Sequence, residues 1–118
     1  MAQRYDLRAP IDDRPRWDAA RRELWFRGRL VKRFRQAAEN QTRIIDAFEQ
    51  RGWPPRIDDP MPPEDGVVSE ERLHETIKAL NRNQKYRGLH FGGDGLGTGV
   101  LWEARGGGKI VIAPPELP

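Results

Sequence analysis

"WPPRIDDPMPPEDG", residues 53–66, holds five prolines in fourteen positions. Each proline lacks a backbone donor and disrupts a helix around it, so this segment is expected to run as an extended loop. A short edge strand near Arg56-Ile57 fits within it, with Trp53 as its anchor. The chain on either side must therefore fold as separate elements that meet across the loop.

Upstream, "RRELWFRGRLVKRF" is two short apolar runs around Arg27-Gly28, a hairpin signal with glycine at the second turn position. A two-residue turn sets Trp25 opposite Leu30, Leu24 opposite Val31 and Glu23 opposite Lys32, so that like pairs with like and opposite charges meet. Trp25 is expected to be a core ring. "AAENQTRIIDAFEQRG" then places Ala37, Gln41, Ile44, Ile45 and Phe48 on one helical face, with Gly52 where a C-terminal glycine cap belongs.

Downstream, Ser69 is expected as the N-cap of a second helix, with Glu70 and Glu71 in the first turn where the dipole favours negative charge. Leu73, Ile77 and Leu80 share one face of that helix, and Lys78, Asn81, Arg82 and Lys85 occupy the other. "LHF" and "VLWEA" read as two short strands flanking a glycine-rich stretch. Residues 1–16 are expected to form a mobile polar arm, 17–104 one domain, and 105–118 a flexible tail containing glycine and proline.

"GGDGLGTGV", residues 92–100, invites comparison with phosphate-binding loops, but no three of its glycines have G-x-G-x-x-G spacing and no Gly-Lys-Ser/Thr succeeds them. The next segment reads as a strand, so no helix N-terminus is offered to a pyrophosphate. The stretch is expected to be the tip of a β-hairpin, kept flexible by its glycines.

Charge is strongly segregated. Residues 1–35 have a net charge of +6, residues 36–75 of −6 and residues 76–118 of +3. Two basic thirds brought together would make a surface suited to polyanions. The chain has no cysteine, which excludes disulfides, zinc–thiolate sites and cysteine nucleophiles. His74 and His90 fall in different elements, with no metal-ligand spacing around them. Ser69, the one serine, has no base beside it. Neither an enzyme nor a cofactor or metal site is expected. No apolar run approaches the ~20 residues of a membrane span, and the opening "MAQRYDLRAPIDDR" lacks the apolar segment of a secretory signal. A cytoplasmic location and no membrane partner are the expectation.

The order of elements, and the segments that carry it, resemble a winged-helix domain of the kind found as the effector domains of response regulators. "WDAARRELWFRGRLVKRF" resembles the opening sheet, "RIIDAFEQRG" the first helix, "RLHETIKALNR" the recognition helix, and "LHFGGDGLGTGVLWE" the wing and last strand. The chain is also similar to short bacterial proteins of unassigned role that share "GWPPRIDDP"-like segments. The family's middle helix would fall at residues 54–63, where prolines stand instead, and "RQAA" adds residues before the first helix. The fold expected is thus α+β and winged helix-like: an N-terminal β-hairpin, two main helices and a glycine-tipped C-terminal hairpin as the wing.

The resemblance implies double-stranded DNA as a partner, with Lys78, Asn81, Arg82 and Lys85 towards the major groove, and Arg87 and the wing tip on phosphates. Glu71 and Glu75 near the same face oppose that docking, and the wing holds Asp94 but no Lys or Arg between 88 and 104. The alternative is a protein-interaction module, with Trp53 as an aromatic anchor or "KIVIA" as an added strand. Competing with that role, Trp53 reads as a core anchor pinning the proline loop.

Overall fold

The computed structural model describes residues 14–36 and 38–106. It is an α+β domain with a winged-helix-like arrangement of strands and helices. A first antiparallel sheet contains β1 (Arg16–Asp18), β2 (Glu23–Phe26) and β3 (Arg29–Arg33) in that order. Helix α1 (Glu39–Gln50), strand β4 (Arg56–Asp58) and helix α2 (Ser69–Asn81) come next, then the hairpin of β5 (Leu89–Gly93) and β6 (Gly99–Ala104). β4 pairs with β6, so the second sheet runs β4-β6-β5. Residues 1–13 of the expected arm, Ala37, and the tail from residue 107 with its "KIVIA" lie outside the described residues. Folded structure already includes Pro15, which is fully buried, and Arg16 of β1. Trp17 ties β1 to α1: its indole donates to Asp46 Oδ1 at 2.8 Å and its backbone N–H to Glu49 Oε1 at 2.9 Å.

The first hairpin turns at Arg27-Gly28, both with positive φ (56° and 74°), the geometry of a type I′ turn matched to strand twist. Trp25 faces Leu30 as the sequence implies, but beyond that pair the register shifts by one: Leu24 meets Lys32, and Glu23 meets Arg33. Val31 is the extra, bulged residue. Parity explains the shift. Val31 and Phe34 are both buried yet three residues apart, and strict alternation would place them on opposite faces. The bulge brings both inward, joins Arg33 to Glu23 at 2.8 Å, and points Lys32 at the helices. Leu24 and Phe26 supply the buried face, and Trp25 is only half-buried, contrary to its expected core position.

Helix α1 buries Ile44, Ile45, Ala47 and Phe48. It ends in a Schellman arrangement: Gly52 (φ 78°) donates to Glu49 O at 3.2 Å and Trp53 to Phe48 O at 2.8 Å. The accompanying apolar contact is a parallel stack of Trp53 on Phe48, with centroids 4.9 Å apart. Trp53 itself takes φ 60°, a left-handed conformation costing about 1–3 kcal/mol for a bulky residue. Its enclosure offsets that cost, since a fully buried aromatic ring contributes roughly 1.5–3 kcal/mol.

No helix forms between α1 and α2 among the described residues; β4 and the proline loop take that place. Proline carbonyls there find side-chain donors instead of helical ones. Trp102 Nε1 donates to Pro54 O at 2.9 Å, and Arg72 to Pro62 O at 2.9 Å. Asp59 Oδ1 accepts the Met61 N–H at 2.9 Å. Helix α2 then buries Leu73, Thr76, Ile77 and Leu80. Ser69 is its first helical residue, and Val68 occupies the N-cap with no side-chain cap bond, one position away from the expected Ser69 cap. No helix among the described residues is long and apolar enough to cross a membrane.

Candidate nucleic-acid interface

The glycine stretch is the tip of the β5–β6 hairpin, and a carboxylate organises it. Asp94 Oδ1 accepts the Leu96 N–H at 2.9 Å. Its Oδ2 accepts from the Thr98 hydroxyl at 3.1 Å and from Arg56 at 3.0 Å. The Leu96 amide above all, with Arg56 and Thr98, holds the Asp94 carboxyl well below its ordinary value near 3.8, against the effect of burial. The expected flexible tip is therefore a pinned Asx-type turn. Gly97 takes φ 77° there, a left-handed conformation that favours glycine, and the Glu70 side chain lies against its bare Cα. The tip presents Leu96, 76% exposed, and carries no cation of its own.

The expected recognition face is divided. Lys78 is exposed and lies 3.7 Å from Glu75, an i,i+3 ion pair. Asn81 does not face outward as a base reader: its Nδ2 donates to Phe91 O at 2.8 Å, and its Oδ1 accepts the Phe91 N–H at 2.9 Å. Both ends of the amide are thereby used to fasten the end of α2 to β5. Glu70, Glu71 and Glu75 are exposed along the first half of α2, the half that normally approaches bases. Arg82, Lys85 and Arg87 are exposed beyond its end.

The segment that carries them meets the first sheet. The Lys85 N–H donates to Val31 O at 2.8 Å, and the Arg29 guanidinium lies over the Tyr86 ring at 5.1 Å. Lys32, half-buried between the layers, donates to Ala79 O at 2.6 Å and to Gln41 Oε1 at 3.2 Å. Its ammonium thus meets the carbonyl end of α2, where the helix dipole favours a cation. Burial first, and the Arg82 charge second, lower the Lys32 pKa to about 8. Exposed Arg29 is thereby brought beside the segment that carries exposed Arg82, Lys85 and Arg87, and exposed Arg27 stands at the same turn as Arg29. Among the described residues none of these five forms an ion pair. Arg27 and Arg29 were hidden in the sequence by their evident role as turn residues. The net charge of +6 over residues 1–35 was the signal that could have found them.

Trp53 is 5% exposed, with its Nε1 on Glu49 Oε1 at 2.9 Å, so it is a core anchor. His74 is exposed on α2. His90 is half-buried opposite Glu103; burial and then Arg105 lower its pKa, with Glu103 opposing. No group of three or more potential metal-ligating side chains occurs among the described residues. No known family model, curated protein or solved structure matches the chain.

Proposed function

We propose that the protein binds double-stranded DNA through its phosphates, using the basic surface where the first hairpin meets the segment after α2. The observation that supports this reading is the Lys85–Val31 backbone bond, which brings the first hairpin against the segment after α2. Arg27 and Arg29 on one side, and Arg82, Lys85 and Arg87 on the other, supply charges suited to a polyanion. Recognition of this kind is independent of sequence, because the Asn81 amide is engaged by Phe91 and the leading half of α2 is anionic. The role is one of binding rather than catalysis.

Binding to a labelled random-sequence duplex across a salt series tests the reading. The full chain should bind tightly at low salt and weaken linearly on a logarithmic plot, by roughly 0.9 of slope per phosphate neutralised. Replacing Arg82, Lys85 and Arg87 with alanine should reduce that slope by about two to three while leaving the circular dichroism spectrum intact. Absence of binding by the parent chain at low salt would refute the proposal.

A further inference from the structure

A groove of about 760 Å³ separates the leading half of α2 from the wing, at the end of the helix away from the basic patch. Glu70, Glu71 and Glu75 line it, with Val68 and Ile77 supplying apolar surface. Glycines at 93, 95 and 97 leave the wing wall bare of side chains. Leu96 and Val68, 76% and 57% exposed, stand at this end of the molecule. Asp94 fixes the loop that carries Leu96, so this apolar side chain is displayed on a preorganised support. Glu70 and Glu71 form no ion pair with any described residue.

The same chain carries a segment of complementary charge. Arg27-Gly28-Arg29 is a tight protruding turn, both arginines are exposed, and Arg27 and Arg29 rest over the rings of Phe26 and Tyr86 at 4.7 and 5.1 Å. A type I′ turn whose guanidinium groups already rest on aromatic rings loses little conformational entropy on docking. Arginine pairs with carboxylates in a two-pronged geometry unavailable to lysine. One molecule cannot fill its own groove: Glu70 lies in the first turn of α2, whereas Arg29 sits over Tyr86 past its last turn. The helix separates the two by about 18 Å at 1.5 Å per residue.

We infer that the groove between α2 and the wing receives the Arg27-Gly28-Arg29 turn of a second copy, giving head-to-tail self-association. Such a contact uses different surfaces on the two copies and can repeat into an open chain. It shares Arg27 and Arg29 with the DNA-binding surface but does not rest on DNA being bound.

Sedimentation velocity of the full chain at low and high salt tests this, together with two variants. One carries Glu70→Gln and Glu71→Gln, the other Arg27→Gln and Arg29→Gln. The parent's average mass should rise with concentration at low salt and fall when salt is added. Each variant alone should associate about tenfold more weakly or worse. Mixed in equal amounts, the two retain one intact groove and one intact turn between them, and should form a 1:1 dimer and nothing larger. Three outcomes would overturn the inference: a parent chain that stays monomeric at low salt, self-association indifferent to both variants, or a mixture that stays monomeric. So would a monomeric parent whose groove binds an arginine- and leucine-containing peptide, since that assigns it to another protein. The groove variant leaves the basic patch untouched, so its DNA binding at high dilution reports separately on the DNA reading.

Discussion

Asn81 shows how a residue suited to one role is held in another. Its place on the polar side of α2 fits base recognition, yet its amide satisfies the donor and acceptor of Phe91 in β5. Asn81→Ala leaves both backbone groups without their partner in a half-buried setting. It should cost about 1–3 kcal/mol, read as a fall in the urea midpoint at constant slope. Discrimination among DNA sequences should not change, which a comparison of several duplexes would check. Trp53, which the sequence offers both as a partner anchor and as a core anchor for the proline loop, takes the core position: its ring stacks on Phe48 and closes the cap of α1.

At the scale of elements, the wing depends on one side chain. Asp94 gathers the Leu96 and Thr98 donors and the Arg56 guanidinium, and so converts a glycine-rich tip into a fixed turn. Asp94→Asn keeps the shape but removes the charge-assisted bonds. Amide exchange at Leu96 and Thr98 should become at least several-fold faster, with exchange in α1 unchanged. The lowered carboxyl pKa sets the pH dependence. Stabilisation from Asp94 is fully present above its ordinary value near 3.8 and is lost as pH falls through the lower folded-state value. The parent should therefore lose its advantage over Asp94→Asn on acidification below about pH 4. An equal advantage at all pH values would dissociate the tip from this carboxylate.

For the whole molecule, Lys32 links three elements, reaching from β3 to Gln41 of α1 and Ala79 of α2. Its lowered pKa means that the unfolded chain holds this proton more tightly than the folded one. Charged Lys32 thus weighs against folding below about pH 8, and the penalty is relieved as pH rises towards its ordinary value of 10.5. Measured against Lys32→Met, the parent should gain relative stability between those limits. A constant difference would show that the ammonium is not desolvated in the folded state. Trp102 forms a second link, edge-on to Phe26 of the first sheet and bonded to Pro54 O of the loop.

The features legible in the sequence were those that short-range chemistry fixes. The Arg27-Gly28 turn, the Gly52 cap, the two helical apolar faces and the glycine-tipped hairpin depend on residues a few positions apart. The proline loop was legible for the same reason, because a missing backbone donor acts locally. Tertiary structure decided the rest. The bulge at Val31 was hinted at by Val31 and Phe34 three residues apart, but it required a core that demanded both. The engagement of Asn81 needed a backbone partner ten residues away, and the fixed wing tip needed Arg56, 38 residues distant. The basic surface needed Val31 to meet Lys85 across both helices. Local propensity sets turns and helix faces, whereas hydrogen-bond partners and pooled charge are properties of where the folded chain brings distant residues together.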